Sequence, residues 1–210
     1  MKKLILLLLC IFSISTSDTY TTVKINMDYI HGMYIQTGIL IDNYDFPDFV
    51  SHVTYYTDTG YVHPRMGFIF PFGKTKAHKL TSMLGVKYDI YGDDFYYTTA
   101  QLDMNLNFKK IEFIAKNEYT RGVDNNLDSF EYKYSVLYKY KRTIKIGPHV
   151  ESYIHVMQNP EIPIERMHLG MGPFISIVYE EYYVYFLIFM GIDVDNDNKF
   201  ISKYTALYSF

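Results

Sequence analysis

Downstream of residue 17 the chain alternates between apolar and polar side chains with a period of two, and helical spacing is nearly absent. From Phe130 the even positions read Phe130, Tyr132, Tyr134, Val136, Tyr138 and Tyr140. The odd positions between them read Glu131, Lys133, Ser135, Leu137, Lys139 and Lys141. One face is aromatic and the other mostly charged, which is the pattern of a strand with unlike faces. The same beat sets Ile144, Ile146, Pro148, Val150, Ile154 and Val156 against Lys145, His149, Glu151 and His155. It sets Leu80, Leu84, Val86, Tyr88 and Ile90 against Thr81, Lys87 and Asp89. Ala100, Leu102, Met104, Leu106 and Phe108 alternate with Gln101, Asp103, Asn105 and Asn107. Ile111, Phe113, Ala115 and Tyr119 alternate with Glu112, Lys116 and Glu118.

Run length separates two folds that share this pattern. The runs extend for roughly 10–15 residues, whereas strands of soluble proteins last about 5–6 and a tilted membrane-crossing strand needs about 9–11. Strands are predicted near 20–29, 33–41, 49–57, 61–72, 79–91, 94–108, 110–121, 127–141, 143–157, 164–179, 182–193 and 199–210. In the C-terminal half, tight turns at Lys109, Arg142 and Glu180–Glu181 alternate with longer polar loops at Gly122–Asn126, Gln158–Pro163 and Asp195–Asn198. Short turns at one rim and longer loops at the other are the layout of a transmembrane barrel. The expected fold is all-β: a transmembrane antiparallel up-and-down β-barrel of twelve strands, or ten if strands of the N-terminal third merge. An odd count would put the termini on opposite sides.

Composition agrees with that class and excludes others. The chain holds 23 Tyr, 15 Phe, no Trp and one Cys in 210 residues, with a net charge of −3. A single cysteine excludes a disulfide scaffold and a cysteine-ligated zinc module. The charge gives no basic field for a nucleic-acid partner. Tyrosines and phenylalanines collect toward strand ends: Tyr138, Tyr140, Tyr179, Tyr182, Tyr183, Tyr208 and Phe210 on the tight-turn side, with Phe95–Tyr97 and Phe130–Tyr134 toward the other. Two aromatic girdles at membrane interfaces use such residues.

The first seventeen residues read as a secretory signal peptide. Lys2 and Lys3 precede the apolar run Leu4–Ile14, and Ser15, Thr16 and Ser17 supply small residues for cleavage after Ser17. The run is too short to cross a bilayer as a helix. Cys10 lies inside it rather than at its end, which disfavours lipidation. The barrel domain is then 18–210.

The last eight residues, Lys203-Tyr204-Thr205-Ala206-Leu207-Tyr208-Ser209-Phe210, resemble the C-terminal signal of bacterial outer-membrane β-barrel proteins. Lys203, Tyr208 and Phe210 match its polar position and its two spaced aromatics, while Thr205 stands where glycine is common. The resemblance implies recognition by the barrel-assembly machinery and periplasmic chaperones. It also implies residence in the lipid of a Gram-negative outer membrane.

The alternation sends Lys87, Asp89, Asp103, Glu112, Lys116, Glu118, Lys133, Lys139, Lys145, His149, Glu151, His155, Arg166 and His168 toward the lumen. Such charges either fill a narrow barrel as a paired network or ring a water-filled pore for small solutes. His149, Glu151, His155 and His168 offer the residue types of an outer-membrane hydrolase site or a metal site. Two residues apart on one strand lie about 7 Å apart, too far for a direct hydrogen bond. Ser152 falls on the opposite face, and the pattern places no nucleophile beside a histidine. No catalytic group, cofactor or metal is assigned. A secreted, soluble ligand-binding β-sandwich is the remaining alternative. The Asp193–Asn198 loop lacks the glycine and terminal glutamate of an EF-hand and reads as a solvated loop. Gly147, Gly170 and Gly172 read as inward positions that relieve crowding. An arginine at Val136 would meet hydrocarbon, and one at Leu137 would meet lumen water.

Overall fold

The computed structural model describes residues 19–28, 32–42, 47–91, 94–122, 128–156, 165–179 and 184–209, and all of these are strand, turn or loop. The twelve strands are β1 (Thr19–Asp28), β2 (Gly32–Ile41), β3 (Asp48–Tyr56), β4 (Tyr61–Phe72), β5 (His78–Asp89), β6 (Asp94–Asn107), β7 (Ile111–Gly122), β8 (Asp128–Lys141), β9 (Ile144–Val156), β10 (Glu165–Tyr179), β11 (Val184–Asp193) and β12 (Lys199–Ser209). Each pairs antiparallel with its sequence neighbours, and β1 pairs with β12, which closes the sheet into a barrel. Closure leaves no edge strand with unpaired backbone groups, a requirement in hydrocarbon. The twelve-strand expectation holds and the ten-strand one falls away. The signal-peptide segment, Phe210, Tyr182, Tyr183 and most of the loops at 122–126 and 158–163 lie outside the described residues.

The even count puts the start of β1 and the end of β12 at one rim, called here the terminal rim. The contrast in connection length is confined to the C-terminal half. There the terminal-rim turns after β6 and β8 are short. In the N-terminal third the terminal-rim connections, between Ile41 and Asp48 and between Phe72 and His78, are longer than the opposite turn between Tyr56 and Tyr61.

The strand faces follow the sequence beat. On β8, Val136 and Tyr140 are 44% and 66% exposed and point outward, whereas Leu137 between them is 1% exposed. On β4, Met66, Phe68, Phe70 and Phe72 form an exposed outward row beside Leu84 of β5. An exterior of this kind is a lipid-facing surface. Tyr138, Tyr140, Tyr179 and Tyr208 are exposed near the terminal rim, and Tyr91, Tyr119 and Phe200 near the opposite one, so both aromatic belts are present. The side chains of Phe95 and Tyr96 lie outside the described residues. Tyr132 stacks on Tyr134 at 5.2 Å, and the Tyr134 hydroxyl donates to Asn117 Oδ1 at 2.8 Å, which satisfies polar atoms on the outer face.

Three bulges set the register. One falls between Lys139 and Lys141, one between Lys87 and Tyr88 against β6, and one between Arg166 and His168. At the last, Arg166 pairs with Ile154 and His168 with Tyr153, so Met167 is the extra residue on β10. The side chain of Arg166 lies outside the described residues.

Gly147 and Gly172 sit where neighbouring strands approach too closely for a side chain. A Cβ at Gly147 would lie 1.9 Å from the Val136 carbonyl oxygen, and one at Gly172 would lie 2.2 Å from that of Met190. The contact is with backbone, so no side-chain rotation relieves it. Gly172→Val is expected to destabilise the barrel by about 1–3 kcal/mol, as overpacking does. A lowered urea midpoint in vesicles checks this, and a wild-type midpoint would show that the strands can part there.

Candidate functional site: the lumen

The inward positions converge on one cavity of about 620 Å³ to which all twelve strands contribute. Six cations line it: Lys24, Arg65, Lys116, Lys133, Lys145 and Lys203. Six carboxylates face them: Asp28, Asp103, Glu112, Glu118, Glu131 and Glu151. The lining charge is therefore balanced, which removes any strong long-range selection by sign. Of the residues expected in the lumen, Asp103, Glu112, Lys116, Glu118, Lys133, Lys145, His149 and Glu151 line this cavity.

The charges are organised into hubs. Lys203 Nζ lies 2.8 Å from Asp28 Oδ2 and 2.8 Å from Glu151 Oε2, so one ammonium on β12 ties β1 to β9 across the closing seam. Glu151 also meets His149 Nε2 at 3.4 Å and His168 Nε2 at 3.6 Å. His168 Nδ1 reaches Asp193 Oδ2 at 2.8 Å. A second hub centres on Arg65, which donates to Gln101 at 2.7 Å, Glu118 at 3.0 Å and Thr54 at 3.1 Å. Lys87 joins it through Glu118 at 3.6 Å. A third joins Lys145 to Glu112 at 2.5 Å, with Asn105 donating to Glu112 at 2.8 Å. Lys133 pairs with Glu131 at 2.5 Å. Charges removed from bulk water require such partners.

Two expectations about chemistry change. His149 and Glu151 do meet: their Cα atoms are separated by a pleat repeat, but the long side chains lean together to 3.4 Å. A nucleophile type also stands beside His149, since Ser135 Oγ lies 2.7 Å from its Nδ1. Ser135, His149 and Glu151 thus form a hydroxyl–imidazole–carboxylate chain on the lumen wall. Its members are embedded. The His149 ring stacks on Phe174 at 5.3 Å and meets the Phe189 edge at 4.7 Å, and Glu151 is already engaged by Lys203. The chain ties β8, β9 and β12 together. Among the described residues, no group of three or more histidine, cysteine or acidic side chains is arranged to hold a metal ion.

The remaining expected residues lie toward the rims. Asp89 accepts from the Tyr91 backbone N–H at 2.8 Å and shapes a turn. His155 packs edge-on against Tyr153 at 5.1 Å. Lys139 binds Asn107 Oδ1 and the Phe108 carbonyl, which pins the β6–β7 turn. Asp193 is not part of a solvated loop. It ends β11, is buried, and accepts from Asn196 Nδ2 at 2.6 Å as well as from His168. Sequence reasoning passed over Lys24, Asp28, His52 and Arg65, although Thr22, Lys24, Asn26 and Asp28 already show the two-residue beat. It also assigned Lys203 only to the C-terminal signal, whereas its side chain is the seam hub.

The lumen is polar toward the rim away from the termini and mixed toward the terminal rim, where Thr81, Glu112, Lys145 and Ser176 stand among apolar side chains. Tyr34, Arg65, Glu118, Glu131, Glu151 and Lys203 occupy strand positions toward the rim away from the termini. Leu40, Val50, Ile69, Ile114, Leu137, Tyr185 and Leu207 all lie within five residues of the strand ends at the terminal rim. Val50 and Leu137 are 3% and 1% exposed, so the apolar side chains of this level form a packed ring broken by those polar groups. Leu137 therefore faces inward as expected, but it is packed rather than open to lumen water, with Glu112 directly across the β7–β8 ladder.

A closed antiparallel barrel with a lipid-facing exterior and a charged interior defines a transmembrane β-barrel of the outer-membrane type. Comparison with solved structures bears this out. The chain is similar to KdgM porin (TM-score 0.59, 8% identity, covering 91% of this chain and 99% of that one). It is similar to NanC porin (TM-score 0.57, 8% identity, 90% and 98%). It also resembles OccK5 (OpdH) of Pseudomonas aeruginosa (TM-score 0.53, 10% identity, 93% and 67%). At these identities the likeness is one of fold. No family model and no curated protein matches the sequence.

Proposed function

We propose that this protein is a narrow porin-like channel of the outer membrane, with residues 1–17 serving as a cleaved secretion signal and 18–210 as the barrel. The observation that carries the reading is a cavity lined by every strand, which a barrel packed solid with side chains would lack. Lys116 supports it, because this inward residue remains exposed and therefore meets water inside the lumen. A twelve-stranded barrel is narrow compared with sixteen-stranded porins, since diameter grows with strand number. The apolar ring narrows it further, and a hydrophobic constriction restricts ions more than its geometric width alone does. Balanced lumen charge gives weak discrimination between small cations and anions. Proteoliposomes are expected to swell in solutes the size of acetate or glycine and to resist solutes the size of a trisaccharide. Swelling no faster than that of protein-free liposomes would favour a plugged barrel.

The outside of the cell would then be met by the rim opposite the termini. Cysteine at Asn196 is expected to react with an impermeant maleimide in intact cells, and cysteine at Lys109 only after lysis. The reverse result would invert the topology. Deletion of Phe210 is expected to leave less folded, heat-modifiable barrel and more unfolded protein in the periplasm. Undiminished folded barrel would separate this chain from the C-terminal signal it resembles.

A further inference from the structure

Outside the lumen, cations gather at one place on the terminal rim. Lys109, Lys139, Lys141, Arg142 and Lys145, with Tyr140, line a cleft of about 440 Å³ between the β6–β7 and β8–β9 turns. We propose that this cleft binds a phosphate group, carried either by a phospholipid headgroup or by a free phosphate. The inference goes beyond the channel reading and does not depend on whether the lumen conducts.

Four observations carry it. First, the lining has one sign, and no described carboxylate is part of it. Lys145 is held by Glu112 at 2.5 Å and Lys139 by the Phe108 carbonyl at 2.6 Å. Lys109 and Lys141 have no carboxylate partner among the described residues, and Lys141 lies over the Tyr140 ring at 5.8 Å. Several cations converging on one point suit a compact anion with several oxygens, and such an anion offsets their mutual repulsion. Second, the scaffold is fixed. The Phe108 N–H donates to the Ile111 carbonyl at 2.8 Å and closes the turn that carries Lys109, and the Lys139 N–H donates to the Lys110 carbonyl at 2.9 Å and fastens that turn to β8. Third, the bulge between Lys139 and Lys141 lets three consecutive residues line one cleft, where a regular strand would turn the middle one away. Fourth, Phe108, Ile111 and Tyr138 stand exposed on the outer wall just membraneward of these cations. A basic pocket above an apolar wall is within reach of lipid headgroups. The positive sign is local. Asp42 and Asp48 stand elsewhere on the same rim, and Asp58, Asp89, Asp195 and Asp197 stand at the opposite one. Glu180 and Glu181, between β10 and β11, lie outside the described residues.

Titration calorimetry on the full barrel in maltoside micelles, with barrel-free micelles subtracted, tests this. The probes are dioctanoylphosphatidylglycerol, inorganic phosphate and dioctanoylglycerol, which has the same tails and no phosphate. At least one phosphate probe is expected to bind saturably, and more weakly as sodium chloride is raised. Dioctanoylglycerol is expected to show no saturable site. Saturation by the phospholipid alone assigns the headgroup as the source, and equal affinity for inorganic phosphate assigns the free anion. Lys109→Gln combined with Lys141→Gln is expected to weaken binding by about tenfold or more, as loss of charge-assisted contacts does. Lys74→Gln combined with Lys79→Gln removes the same charge from the same rim outside the cleft and is expected to bind as the wild type does. Saturation by neither phosphate probe, equal binding of dioctanoylglycerol, unchanged affinity in the folded cleft variant, or an equal loss in the control variant would overturn the proposal. If the cleft variant fails to fold, the three-probe series on the wild-type protein still decides.

Discussion

Arginine at Val136 and arginine at Leu137 are both expected to destabilise the barrel strongly, for opposite reasons. Val136 points outward from the middle of β8 and is 44% exposed, and in a bilayer that exposure is to hydrocarbon. A cation near the midplane costs about 2–4 kcal/mol. Leu137 points inward and is 1% exposed. Its replacement removes a buried apolar side chain and forces a guanidinium into a packed position across from Glu112, which Lys145 already engages, for a loss of about 3 kcal/mol or more. Equilibrium urea unfolding in lipid vesicles, read as heat-modifiable migration, measures both. Lys116→Arg, at an inward position that meets water, is the control and is expected to stay near wild type. A benign Leu137→Arg would mean that water fills the lumen at that level and that the ring is no constriction.

Removing the ammonium at the seam is expected to be the most damaging polar substitution. Lys203→Met would leave Asp28 and Glu151, both nearly fully buried, without the cation they share at 2.8 Å each. Breaking one side of such a buried cluster costs about 3–5 kcal/mol. Much of that is the penalty of two buried carboxylates that lose their shared cation, so Asp28→Asn and Glu151→Gln in the same chain are expected to recover most of it. Refolding the purified chain into vesicles separates this role from recognition of Lys203 by an assembly machinery, because no machinery is present. A full rescue in vesicles with continued loss in cells would give Lys203 both roles. No loss in either would contradict the hub.

The barrel was legible in the sequence because lipid enforces its two-residue beat. Outward positions in hydrocarbon are predominantly apolar, so Tyr132, Tyr134, Val136 and Tyr138 announce their strand without help from tertiary structure. Residue-level neighbours were less legible because register depends on bulges. A two-residue turn after Lys141 alone would pair Ser135 with Val150, an inward residue with an outward one. The bulge near Tyr140 shifts the pairing by one and brings Ser135 to His149. A second bulge, at Met167, shifts the β9–β10 register in the same way. The conflict of faces at Ser135 already required a bulge, so that contact was recoverable, whereas nothing in the alternation near Met167 marked one. The apolar ring was hidden for a different reason. Leu40, Val50, Ile69 and Leu207 are spread over four strands, and only closure of the barrel brings them to one level.

The channel reading meets its most direct test in single-channel recording of the purified barrel in planar bilayers. Wild-type protein is expected to give small, resolved unitary steps with near-equal permeability for potassium and chloride. Leu207→Ser and Leu40→Ser, which shorten the apolar ring without adding charge, are expected to raise the unitary conductance severalfold, as relief of a hydrophobic constriction does. Folded, heat-modifiable barrel that inserts yet gives no steps in the wild type or in either ring variant would contradict it, and would leave a structural barrel whose lumen charges serve only to hold the wall together.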